Sequence, residues 1–210
     1  MEASVAIAPK GSWRQTVLLS AMEASQIKTF GWPIGVVLNR DDGRPHPTAE
    51  GVRAEIATTS LGLSYDYWYL RQTGDFYMLQ SLFEDERAEN RLFFDSRIVR
   101  TTELLLFLSR LYTRLEVPDS TRVRIELRHG GLKGRTLASA NQNRMMHENR
   151  ETTEEGVSSV TECSVGELQT KLEETVRELL EPLFMLFDFF NLSDQIWAEI
   201  INAFVEGRMA

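Results

Sequence analysis

The sequence predicts an α+β fold, a mostly antiparallel sheet with helices packed mainly on one face. Three observations carry that expectation. Strand-like runs follow one another with short connections, which favours antiparallel pairing. Each helix-like segment has a single apolar stripe, the pattern of an element that covers one side of a sheet. The 210 residues, 42% of them hydrophobic, suit one domain that buries a core without covalent staples. The expected division is a flexible tail over 1–11 and a single α+β domain over 12–210.

Ser12-Trp13-Arg14-Gln15 reads as a capping box, with Trp13, Val17, Ala21 and Ala24 following at helical spacing. Gly31 and Pro33 should stop that helix near Phe30. Ile34 to Leu38 is a short apolar run, expected as a buried strand. Asn39 to Thr48 is rich in turn formers and reads as a loop. Val52 to Ala57 alternates weakly and predicts a second strand. Ser64 to Arg71 and Phe76 to Phe83 flank Gln72-Thr73-Gly74-Asp75, a hairpin connection. Tyr65, Tyr67 and Tyr69 share one face of its first strand, Trp68 and Leu70 the other.

Asp95 or Ser96 can cap a long helix running to about Glu116. Ile98, Leu105, Leu108, Tyr112 and Leu115 form its apolar stripe. Arg122 to Arg128 alternates cleanly: Val123, Ile125 and Leu127 point one way, three arginines and Glu126 the other. A glycine turn follows, and Thr136 to Ala140 is expected to return as a strand. Asn141 to Gly156 is polar and reads as a mobile loop. Ser158 to Cys163 is a candidate last strand. Ser164-Val165-Gly166-Glu167 is a second capping box, ahead of Leu168, Leu172, Val176, Leu179 and Leu183 on one face. Pro182 should kink or restart that helix. Ser193 can cap a final helix with Trp197, Ile200, Ile201 and Phe204 inward.

Cys163 is the only cysteine, so no internal disulfide forms and a reducing, cytoplasmic setting is expected. No basic start precedes an apolar run, so no signal peptide is expected. Leu104 to Leu108 is too short to span a bilayer, and Leu183 to Phe190 is broken by Asp188. A net charge of −8 argues against non-specific nucleic-acid binding, which depends on Lys and Arg neutralising phosphates.

His46, His129 and His147 stand at no metal-ligand spacing from one another or from Cys163, and no cofactor is expected. Cys163 precedes a predicted helix, which can lower a thiol pKa, but a small residue at a strand end is the better account of it. No nucleotide loop, nucleophile elbow or zinc-peptidase helix appears, which argues against catalysis. The most distinctive stretch is Arg128-His129-Gly130-Gly131-Leu132-Lys133-Gly134-Arg135. Its glycines let backbone amides turn outward, and its cations add positive charge, the makings of an anion nest. A glycine-shaped hairpin turn with solvated basic residues is the alternative. Candidate ligand- or partner-binding residues are therefore Arg128, His129, Gly130, Gly131, Lys133 and Arg135.

Arg97 to Arg135 holds nine Lys or Arg against four acids, an excess of +5. Glu148 to Glu181 holds ten acids against three Lys or Arg, an excess of −7. Such polarity serves self-association or partner docking, or pairs internally. The hairpin aromatics Tyr65, Tyr67, Trp68, Tyr69, Phe76 and Tyr77 suit either core packing or an interface.

Four phrases carry a family likeness: Gly31 to Leu38 (GWPIGVVL), Tyr65 to Trp68 (YDYW), Ser81 to Asp85 (SLFED) and His129 to Arg135 (HGGLKGR). Together they resemble the region that follows the DNA-binding module in Schlafen/AlbA-like bacterial proteins described as transcriptional regulators or ATP-binding proteins. The resemblance covers most of the chain, from about Phe30 to Gly207. The residues before Gly31 are too few for the AlbA-like module, so DNA binding is carried over onto no residue. The resemblance implies an accessory part that senses, oligomerises or docks a partner. The expected function is a non-catalytic regulatory or interaction domain of a bacterial cytoplasmic protein, self-associating as a homo-oligomer or docking a protein partner. The alternative is a small-ligand sensor that binds an anionic metabolite or nucleotide near His129 to Arg135.

Overall fold

A computed structural model describes residues 1–27, 32–41, 43–58, 64–141, 144, 150–189 and 192–208. The fold is α+β, built on a seven-stranded antiparallel sheet, as the sequence predicts. The first strand is the main departure. Residues 2–8 are not a flexible tail but strand β1 (Glu2–Ala8), pairing antiparallel with two other strands at the middle of the sheet. Ala3, Val5 and Ile7 are buried while Ser4, Ala6 and Ala8 are exposed. The period of two is present, but alanines and a serine make it faint, and tertiary pairing decides the conformation. Residues 9–11 are tied down too: Gly11 donates to the Thr73 carbonyl, and Lys10 pairs with Asp75 at 2.5 Å.

Helix α1 (Gln15–Ser25) starts later than the Ser12 box predicts, with Arg14 at the capping position and no side-chain cap. Trp13 is held instead in the loop, its amide bonded to the Gln72 carbonyl and its indole to the Leu115 carbonyl at 3.0 Å. Phe30 and Gly31, the expected stop, lie outside the described residues; α1 has already ended at Ser25. Ile34 to Leu38 is buried in part but forms no strand. Gly35 turns it with φ +69°, Ile34 donates its amide to Glu103, and the Trp68 indole donates to the Val36 carbonyl at 2.7 Å. These side-chain partners satisfy the backbone that a ladder would otherwise serve.

Strands β2 (His46–Pro47), β3 (Gly51–Thr58), β4 (Ser64–Arg71) and β5 (Phe76–Gln80) form a meander that leads back to β1. After a short 3₁₀ turn (Phe83–Glu86) and β6 (Arg91–Phe93) comes α2 (Phe94–Arg114). Then β7 (Arg122–Gly130) pairs with β1 on one side and with β9 (Gly156–Ser164) on the other. β8 (Thr136–Ala138) does not return along β7. It pairs parallel with β6 in a separate two-stranded sheet. Three short helical pieces close the chain: α3 (Glu167–Thr170), α4 (Leu172–Met185) and α5 (Asp194–Val205). Glu167 reaches back to the Ser164 amide at 2.8 Å, one half of the second capping box, while Gly166 rather than Ser164 takes the capping position, without a side-chain cap. The break in this region comes at Lys171, and α4 runs through Pro182 without restarting. Ser193 caps α5.

Burial alternates along the long strands, so one face of the sheet is covered and the other is open. The covered face carries Trp68, Leu70, Phe76, Met78, Val123, Ile125 and Leu127. α2 is the central covering helix; Leu104, Leu105, Leu108, Leu111 and Tyr112 are wholly buried. Tyr65, Tyr67, Tyr69 and Tyr77 are half-buried on the open face, where Tyr67 and Tyr77 meet edge to face at 5.9 Å. The aromatic hairpin thus divides between core and surface. No described helix is long and apolar enough to cross a membrane.

Candidate functional site

The basic strand and turn singled out in the sequence do not converge on one site. Arg128 is exposed on the open face of β7, whereas His129 points to the covered face and is buried. Period-two alternation imposes that split. Burial holds the His129 pKa well below the ordinary histidine value, with Arg97 adding repulsion, so its imidazole is neutral. Gly131 and Gly134 take positive φ, but the turn they shape is not an open nest. The Leu132 amide donates to the Glu155 carbonyl, Gly134 to Thr152 and Arg135 to Leu132. The segment from Arg150 onward, expected to be loop, supplies the Glu155 and Thr152 carbonyls and bridges back to Thr136. Arg135 pairs with Asp85 at 2.5 Å and also donates to the Arg91 and Gly131 carbonyls. Lys133 is exposed, and among the described residues neither it nor Arg128 has a carboxylate partner. Arg122 and Arg124 pair internally, with Glu162 at 3.3 and 3.9 Å.

The cations that do converge are others. A cleft of about 480 Å³ opens between the N-terminal half of α2, Ala140, Asn141 and Arg144, α5 and the chain after it. Among the described residues five arginines line it, Arg87, Arg97, Arg100, Arg144 and Arg208, against two acids, Asp95 and Glu199. Val99, Ile200, Ala203 and Ala140 give it an apolar side. The volume is that of an ordinary small-molecule site, and convergent polar groups beside apolar wall are its usual chemistry.

Both acids are already engaged. Asp95 accepts from the Ser139 hydroxyl at 2.6 Å and from the amides of Ser96, Ala140 and Asn141 at 3.0, 2.9 and 3.2 Å. Four donors on one carboxylate fix the 139–141 turn against the start of α2 and compensate its charge. Glu199 holds Arg144 at 2.6 Å, and Glu206 holds Arg208. Both of those glutamates are more than half exposed, and exposed ion pairs contribute only about 0–1 kcal/mol. An incoming anion can therefore take over those arginines at small cost.

Arg97 and Arg100 are held more firmly. Arg100 bonds the Glu103 carboxylate at 2.6 Å and the Trp32 carbonyl at 3.0 Å. Arg97 is 1% exposed and pairs with buried Glu84 at 2.7 Å; the other Glu84 oxygen accepts the Phe93 amide. Burial draws the Arg97 pKa down and Glu84 raises it again. The buried Arg97 Nε has no hydrogen-bond partner, a rare condition for a guanidinium inside a protein.

Comparison with known protein families, curated proteins and solved structures finds no match. The cleft is therefore described from its own chemistry. Among the described residues no group of three or more His, Cys, Asp or Glu is placed to hold a metal. Cys163 lies buried, and burial raises its thiol to about 11.

The cleft arginines are spread from Arg87 to Arg208, so no local pattern announces them. One signal was available. Arg97 stands at helical spacing with Thr101, Leu104, Leu108 and Leu111, a cation on the buried stripe of α2. Charged residues are almost never fully buried unless something needs them there.

Proposed function

We propose that this chain is a regulatory domain that binds an anionic small molecule, a phosphorylated metabolite or nucleotide, in the arginine cleft between α2 and α5. The observation that carries this reading is the convergence on one cleft of five arginines among the described residues, two of which, Arg144 and Arg208, are held by exposed glutamates. Guanidinium groups match phosphate oxygens with paired donors. The apolar side formed by Val99, Ile200 and Ala203 suits the body of an organic anion. The sensing role in a bacterial cytoplasm that the Schlafen/AlbA-like phrases lead one to expect is kept as part of this proposal, with the ligand at the cleft rather than at His129 to Arg135.

The test is thermal unfolding of the full chain with inorganic phosphate, pyrophosphate and ATP. A ligand that binds only the native state raises the melting temperature by an amount that grows with the logarithm of its concentration above Kd. The expected result is a rise that grows from phosphate to the polyphosphates and shrinks with added salt. Arg144→Ala combined with Arg208→Ala should abolish the rise while leaving the ligand-free melting temperature nearly unchanged. An unshifted transition with all three anions, or a shift the double variant retains, overturns the reading.

A further inference from the structure

We propose that the chain dimerises by antiparallel pairing of β9 with the β9 of a second copy, continuing the sheet across a two-fold axis at Val160. β9 is a nine-residue strand at the end of the sheet order, and no described strand pairs with its outer side. A long free edge exposes a row of unsatisfied amides and carbonyls, and proteins normally blunt it with lysine, proline or a bulge. β9 reads GVSSVTECS, with no proline, no lysine and one charge. Val160, at its centre, is 43% exposed, one of the few large apolar side chains left in solvent.

The occupant is argued from charge. With the axis at Val160, the two valines face each other, and Ser158 faces the partner's Glu162. β7 supplies the next row: Arg128 stands beside Ser158 and Arg124 beside Glu162 in the ladder. One line across the interface then reads Arg124, Glu162, the partner's Ser158 and the partner's Arg128, and symmetry repeats it. Glu162 lies about 10 Å, two strand spacings, from the partner's Arg128, with only a small serine between. Two long side chains close that gap. Arg128 is the open-face arginine of β7 without an internal carboxylate among the described residues, and this register gives it one. No like charges oppose each other in it. The surface is self-complementary, as a two-fold interface must be.

Sedimentation of the full chain should show a dimer that salt weakens. Val160→Lys places two ammonium groups opposite each other and should raise the dimer dissociation constant about tenfold or more. Arg128→Glu should weaken the dimer and flatten its salt dependence. Both sites are exposed, so unchanged melting temperatures at a concentration low enough to dissociate the dimer serve as controls. Cross-linking fixes the register: under mild oxidation Val160→Cys should give a covalent dimer. Ser158→Cys should not, because its two copies stand four residues, about 13 Å, apart along the strands. A monomer at all concentrations, a dimer indifferent to Val160→Lys, or equal cross-linking by the two cysteine variants overturns the proposal.

Discussion

Asp66 sits on the covered face of β4, two residues before Trp68 and largely buried, and accepts a hydrogen bond from Gln80 at 2.6 Å. Burial raises its pKa above the ordinary carboxylate value, and Gln80 and Arg100 only partly offset this. The folded chain therefore holds this proton more tightly than the unfolded chain. Stability attached to Asp66 is present at low pH and is lost as pH rises through the folded pKa. Asp66→Asn keeps the acceptor for Gln80 and removes the buried charge. It should raise the melting temperature at pH 7, and the gain should vanish as pH falls toward about 4, the usual carboxylate range. Unfolding scans across pH check this. Cys163 gives a second expectation. With its thiol at about 11, roughly one molecule in ten thousand carries the thiolate at pH 7. Native labelling by a thiol reagent should be slow and should accelerate sharply in denaturant, and Cys163→Ser should keep ligand binding.

Among the elements, α4 shows what a stripe of apolar residues commits. Val176, Leu179 and Leu183 are buried, and the Leu179 carbonyl accepts the Ser159 hydroxyl of β9 at 2.7 Å. Leu179→Ala should cost about 2–5 kcal/mol, measured by urea unfolding, because the removed methyls leave a cavity under a sheet that cannot collapse. This stripe, the alternation of β7 and the Ser193 cap were legible because each is a local pattern strong enough to stand alone. Ile34 to Leu38 misled for the opposite reason. Its apolar run is satisfied by Glu103 and Trp68, residues far along the chain that no window includes. The Ser12 box failed because Trp13 found a better partner in the hairpin loop and at Leu115. β8 was recognised as extended but given the wrong neighbour, since only the tertiary fold brings β6 alongside it. At the candidate site the sequence pointed to Arg128 and Lys133, whose exposure is plain from local pattern. The cleft, assembled from α2, a turn and the chain after α5, was not visible.

On the scale of the whole molecule, the sheet is two halves joined by β1. β2 to β5 lie on one side and β7 with β9 on the other. Removing residues 2–8 should therefore do more than trim an end. The truncated chain is expected to lose cooperative unfolding, seen as a broad or absent transition in calorimetry, because β5 and β7 lose their shared partner. A sharp two-state transition would show that the halves join without it. The same arrangement orders events during synthesis. β1 leaves the ribosome before its partners, residues 76–79 and 122–128. At roughly 5–20 residues per second, about 6 to 25 s pass before the second partner is made. For that interval a strand bearing Val5 and Ile7 has no completed sheet to enter. The nascent chain thus carries this strand without β5 until residues 76–79 are made and without β7 until residues 122–128 are made, an interval in which a chaperone at the tunnel exit has something to hold.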